Sequence, residues 1–183
     1  VNKKVLVPIA RGSEELEAVA IIDVLRRADI SVKVAGENEI ITCSRGIKII
    51  PDLLLDYISD EDIFDAVVLP GGLKGVENLS ANDHLENIIE AHIRENKLVC
   101  AICAAPLVLA DRKFLPTGAV ITSHPGVKPQ LKKFQYSDDR VVEYGNFITS
   151  RGPGTAIELA LRIVEKLAGT DVADKIASAM LHK

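Results

Sequence analysis

Residues 98–110 read Leu-Val-Cys-Ala-Ile-Cys-Ala-Ala-Pro-Leu-Val-Leu-Ala, an apolar run holding two cysteines and one proline. The first half, 98–102, has the composition of a buried strand. The second half, 104–110, is helix-like, with Pro106 tolerated in a first turn where its missing N–H costs nothing. Cys103 therefore falls where a strand turns sharply into a helix, an elbow that lifts a side chain over the sheet edge and strains the backbone. Ala101 and Ala105, two residues to either side, are small enough for strand and helix to pass closely. The helix N-terminus is expected to favour thiolate over thiol. The competing reading is a core cysteine in an ordinary βα unit, since free Cys is among the most buried residue types.

The whole chain, 183 residues, suits one domain spanning 1–183. Hydrophobic residues make up 48% and charged residues 26%, the balance of a soluble globular protein. A net charge of −4, 4% aromatics and no Trp argue against nucleic-acid or anionic-membrane partners. The 98–110 run is too short to span a bilayer, and no signal peptide is expected, since none is visible ahead of the first strand. Three cysteines fit a reducing compartment better than a disulfide framework, so a cytoplasmic location is expected. Cys100 and Cys103 have C-x-x-C spacing, but Cys100 lies inside the strand, unlike a redox pair that opens a helix.

Strand and helix signals alternate along the chain. Strands are expected at 4–9, 31–35, 65–69, 98–102 and 119–122, with a short hairpin at 40–50 and paired strands near 140–143 and 147–149. Helices are expected from 13 to about 28 with Ser13 as cap, at 84–95, 104–110, near 127–133, up to 168 and near 172–181. Thr155 and Glu158 have the spacing of a capping box. The pattern predicts an α/β fold, a mainly parallel sheet, with its ligand site at the carboxyl ends of the strands. Gly71/Gly72, Cys103, His124 and the turn at Ser150-Arg151-Gly152 would share that rim.

Glu17 is the best independent clue. At roughly 100° per residue it falls on an apolar helix face, between Val24 and Ala28 and beside Ala20 and Ile21. A carboxylate there must find partners or stay protonated, because burial raises its pKa. A protonated carboxyl could donate to a neighbouring thiolate. The alternative is a Glu kept wet near the helix start. Gly71-Gly72 could aim backbone N–H groups at an oxyanion beside Cys103, or serve as a plain turn. His124 could be a base or proton shuttle. No residue spacing suggests a metal site.

The ordered segments 11–17 (Arg-Gly-Ser-Glu-Glu-Leu-Glu), 23–28, Cys43-Ser44-Arg45, Leu69-Pro70-Gly71-Gly72, 101–106, Ser123-His124-Pro125 and 149–155 together resemble the ThiJ/PfpI superfamily, and within it the small protein deglycase branch. The resemblance implies a flavodoxin-like three-layer sandwich, normally a homodimer. It implies Cys103 as nucleophile, Glu17 as its hydrogen-bonding partner, and Gly72 and Ala104 as backbone donors, with His124 and Asp23 nearby. Cys43 would be a secondary, peripheral redox thiol, and Arg45 and Arg151 would line the mouth and favour anionic groups. Arg27 and Glu14 would lie near the dimer interface. Ala104 stands where the protease branch carries its histidine, so that dyad is absent. His124 is followed by Pro125 and Gly126, which removes the His-x-Glu pattern of class I glutamine amidotransferases.

The expected function is a cofactor-independent glyoxalase or protein deglycase acting on methylglyoxal-type dicarbonyls or their early adducts with side chains. The alternatives are an oxidative-stress sensor or redox-regulated chaperone switched at Cys103 and, more weakly, an association with thiamine-precursor synthesis. Neither cofactor nor metal is expected.

Overall fold

Strand β1 (Lys4–Ile9) lies near the middle of a seven-stranded sheet in the computed structural model, which describes residues 2–59 and 62–182. Its neighbours are β2 (Ser31–Gly36) and β6 (Ala66–Leu69). The two hairpin strands β3 (Ile41–Thr42) and β4 (Lys48–Ile49) and the short β5 (Leu53–Leu54) come between them in the chain. Next follow β7 (Leu98–Ile102), β8 (Val120–Ile121), β9 (Gln135–Tyr136), β10 (Val141–Tyr144) and β11 (Phe147–Ser150). The sheet order is β10-β11-β7-β6-β1-β2-β5, parallel except for the antiparallel edge strand β10. The five main parallel strands, renumbered along the chain, run 2-1-3-4-5, the flavodoxin-like order.

Central strands bury both faces, so they read as continuous apolar runs rather than alternating ones. Val5–Ile9 and Ala66–Leu69 are buried throughout. One face is covered by α1 (Glu15–Arg27) and, further along, α5 (Ala156–Ala168), with α6 (Thr170–Ala179) against α5. The other carries α2 (Leu73–Ser80), α3 (Asp83–Arg94) and α4 (Pro106–Asp111). Two apolar cores result, one on each side of the sheet, and Cys103 packs against both. No helix of the described residues is long and apolar enough to cross a membrane.

Several expectations need correction. Ser13 does not cap α1. Its Oγ accepts from the Ala10 N–H at 3.0 Å, closing the turn before the helix, and Glu14 occupies the cap position without a side-chain bond to the helix N–H groups. Thr155 and Glu158 form no capping box on α5. Thr155 Oγ1 faces back to Ser150 Oγ (2.6 Å) and the Gly152 N–H (3.1 Å), while Glu158 is held by Arg140 from the strand side. The expected helix near 127–133 is a 3-10 turn at Pro125–Gln130. Strand β8 pairs with β9 in a separate two-stranded sheet, so His124 does not hang from the main sheet. Helix α2 had not been anticipated. Its Gly75 reads as a breaker, yet a Cβ there would lie 2.5 Å from Ser13 N, so glycine lets the helix pass the turn after β1.

Candidate active site

The elbow is present, and its strain can be read in one angle. Cys103 has φ +64, a left-handed conformation that costs a residue with a Cβ on the order of 1 kcal/mol or more. Two hydrogen bonds hold it there. Its N–H donates to Ser150 O at the end of β11 (3.0 Å), and its carbonyl accepts from the His124 N–H (2.8 Å). Pro106 opens α4 at its first position, as its missing donor allows.

Gly71 and Gly72 end β6 beside the sulfur. A Cβ on Gly71 would lie 2.6 Å from Cys103 Cβ and 2.8 Å from Glu17 Oε2, so only glycine lets the cysteine and carboxylate meet. Gly72 has φ +86, and a Cβ there would come within 2.3 Å of Gly12 O. The backbone N–H groups of Gly72 and Ala104 both face the Cys103 sulfur. Ala105, like Ala104, is buried in the tight passage behind it.

Glu17 is fully buried (0% exposed) on the inner face of α1. Its Oε2 accepts from the Gly71 N–H at 2.7 Å, and the carboxyl also meets the Cys103 thiol. Oε1 has no further partner among the described residues. Burial is the main force on this group and pushes its pKa up to about 7; the Gly71 N–H, the Cys103 thiol and, in the opposite sense, the Glu14 charge act more weakly. Glu17 therefore carries a proton for much of the time near neutrality.

The sulfur does not behave as the helix terminus alone suggested. Burial first, then the Glu17 charge and hydrogen bond, push the Cys103 thiol up to about 12, while the Gly72 and Ala104 amides pull it down. Two of those raising influences require an ionised Glu17. When Glu17 holds the proton they vanish, leaving burial, which still raises the thiol, against the two amides, which lower it. Carboxyl and thiol thus form one coupled acid–base unit rather than two independent groups.

The remaining candidates divide. His124 lines the cleft with an exposed ring whose Nδ1 accepts from the Gly126 N–H (3.1 Å), so a neutral ring carries its proton on Nε2 and acts as a donor. Arg45 lines the same cleft. Arg151 does not: its guanidinium turns to Asp138, donating to the carbonyl at 2.9 Å. Asp23 is not a cleft residue of this chain either. Six positions after Glu17 it lies on another helix face, half-exposed and paired with Arg27 at 2.6 Å. Cys43 is buried rather than peripheral. Burial, then the Glu15 and Glu14 charges, push its thiol up to about 11, with no N–H group offsetting them as those of Gly72 and Ala104 do at Cys103. Glu14 accepts from Ser44 Oγ at 2.7 Å and borders the cleft.

Two basic residues of the cleft were missed by sequence reasoning, Arg11 and Lys74. Exposed lysines and arginines look alike in a sequence, and only the approach of α2 to the turn after β1 brings these two together. The cleft lies at the carboxyl ends of β1, β6 and β7, where the strand order reverses.

Comparison with known proteins agrees with this architecture. The model of the DJ-1/PfpI family matches residues 3–166. The Drosophila melanogaster protein dj-1beta is 45% identical over 184 residues, covering 98% of this chain and 97% of that one. Its crystal structure superposes with a TM-score of 0.95 at 43% identity over the full length of both chains. A Toxoplasma gondii DJ-1 structure, described as oxidized, has a TM-score of 0.93 at 37% identity, covering 98% of each chain. The Caenorhabditis elegans glutathione-independent glyoxalase DJR-1.2 is 35% identical over 162 residues, 87% of this chain and 85% of that one. In sequence and in fold alike, this chain belongs to the DJ-1/PfpI family.

Proposed function

We propose that the chain is a thiol-dependent glyoxalase that converts methylglyoxal-type dicarbonyls, or their early adducts with protein side chains, to α-hydroxy acids. The observation that carries this reading is the contact between Cys103 and the buried Glu17, whose pKa near 7 suits a group that both takes and returns a proton.

The chemistry balances without a co-reactant other than water. Ionised Glu17 takes the thiol proton as the Cys103 sulfur adds to the aldehyde carbon, forming a C–S bond, and the carbonyl electron pair moves to oxygen. The Gly72 and Ala104 amides lie where that oxyanion needs donors. The oxyanion takes the proton from Glu17, giving the hemithioacetal. Glu17, now ionised, removes the proton from that carbon and delivers it to the adjacent one, while the hydroxyl proton on the first carbon's oxygen passes to the oxygen of the second. The first carbon is thereby oxidised to the thioester level and the second reduced to an alcohol. Water cleaves the thioester C–S bond, releases the hydroxy acid and restores the thiol. His124, with its proton on Nε2, donates to a substrate oxygen. The test is lactate formation from methylglyoxal with no thiol cofactor added, compared between wild type and Cys103→Ala.

A second reading, oxidation of Cys103 as a sensor event, is supported by the oxidised state of the Toxoplasma relative and by the Glu17 carboxyl, which can donate to a sulfinate oxygen. Under graded peroxide, Cys103 is expected to gain two oxygens before Cys43 or Cys100, read by peptide mass. Oxidation of the buried thiols first would remove this reading.

The homodimer is proposed from an apolar surface. Leu16 and Val19 stand one turn apart on α1, and Ile47 and Ile50 project from the adjoining hairpin, whose Arg45 N–H is tied to Glu15 Oε1 at 2.8 Å. All four are exposed. A second copy covering this face gives twice the chain mass in light scattering, and Val19→Asp is expected to return it to one. A wild type of single-chain mass would refute the dimer.

A further inference from the structure

The cleft is much larger than the smallest compound it would convert. Its volume is about 720 Å³. Methylglyoxal has five heavy atoms, which at roughly 30 Å³ for each water-sized group fill about 150 Å³. Most of the cleft is therefore available to another part of a substrate, and its charge indicates which part.

Three cations line it, Arg11, Arg45 and Lys74, against one carboxylate, Glu14, which already accepts from Ser44. Arg11 is placed by its backbone: the N–H donates to Glu37 Oε1 (2.6 Å) and the carbonyl accepts from Asn78 Nδ2 (2.9 Å). No hydrogen bond or ion pair engages its guanidinium among the described residues. The stem of Lys74 lies across Gly12, where a Cβ would come within 2.6 Å of Lys74 Cβ and 3.1 Å of Cγ. Gly12 thus serves both its own φ of +86 and the course of that side chain. Among the described residues the Lys74 ammonium holds only Glu77, in an exposed pair at 2.8 Å that a ligand anion can displace at small cost.

We propose that Arg11 and Lys74 form a specificity subsite for an anionic group, so that the cleft selects dicarbonyls bearing a carboxylate or phosphate several bonds from the aldehyde. The inference rests on Cys103 as the nucleophile of the proposed function, but not on turnover. Arg11 supplies a planar fork for two oxygens, and Lys74 a mobile point charge.

The experiment has two arms. In the first, Cys103 is alkylated with N-(3-carboxypropyl)maleimide and, separately, its uncharged amide, near-equal in size and carrying the differing group several bonds from the reacting carbon, with rates read from the mass of the Cys103 peptide. The acid-to-amide ratio is expected to fall about five-fold or more in Arg11→Gln/Lys74→Gln, and to fall in wild type as salt rises. Arg11→Lys/Lys74→Arg, which keeps both charges, is expected to hold the ratio. A ratio that does not move in the Gln pair overturns the subsite. In the second arm, 4,5-dioxopentanoate and a phosphate-bearing 2-oxoaldehyde are compared with neutral 2-oxopentanal. The anionic compounds are expected to show about ten-fold higher kcat/KM, through KM, and the better of the two identifies the anion. Turnover of 2-oxopentanal with no anion preference in either arm leaves the glyoxalase standing and removes the subsite. A charge-dependent alkylation ratio without turnover of any dicarbonyl keeps the subsite and removes the glyoxalase.

Discussion

Cys103→Ala is expected to reduce lactate formation from methylglyoxal to the rate in buffer, a loss of about a thousand-fold or more. The change deletes the atom that forms the covalent bond and little else. Alanine meets the same left-handed backbone as cysteine, and the bonds to Ser150 O and from the His124 N–H are made by the main chain. The variant is therefore expected to fold, with a Tm within a few degrees of wild type. Glu17, Gly72 and Ala104 stay in place, so any surviving rate measures what the carboxyl and amides achieve without sulfur. Turnover equal to wild type would rule out covalent catalysis at this site.

Glu17→Gln is expected to lower kcat about a hundred-fold or more while making the protein more stable above neutral pH. Gln preserves shape, an acceptor for the Gly71 N–H and a donor toward sulfur, but neither takes nor returns a proton. The stability effect has a definite sign. Glu17 binds its proton more tightly folded, at about 7, than unfolded, near 4.5. Between those values the native state holds more protons than the unfolded state, so this group's contribution falls as pH rises from about 4.5 to 7 and then levels off. The full difference is on the order of 3 kcal/mol. Glu17→Gln removes this dependence: its Tm is expected to exceed that of wild type at pH 8 and to lose most of that advantage by pH 5. Thermal melts at the two pH values, alongside kcat, separate a proton-transfer role from a packing role. A Tm difference independent of pH would show that Glu17 is ionised throughout.

What could be read from the sequence follows from how local each signal is. The elbow was legible because a β-type run, a small-residue pair and a first-turn proline sit within thirteen residues. Glu17 was legible because helical periodicity alone puts it among apolar neighbours. Side chains whose partners come from afar were misread. Ser13 and Thr155 look like caps, yet their hydroxyls are taken by Ala10 and by Ser150 and Gly152. The sulfur's pKa was misjudged for the same reason, since a helix start is visible in sequence whereas burial beside a carboxylate is a tertiary fact. Arg151 was placed by pattern, and one acceptor, Asp138, redirects it.

The bond between the Cys103 N–H and Ser150 O has a consequence for how the protein is made. The acceptor lies far downstream, at the end of the last sheet strand in the chain. A nascent chain ending before β11 lacks the carbonyl that accepts the Cys103 N–H, one of the two bonds on its left-handed backbone. The elbow is thus complete only once β11 is in place beside β7.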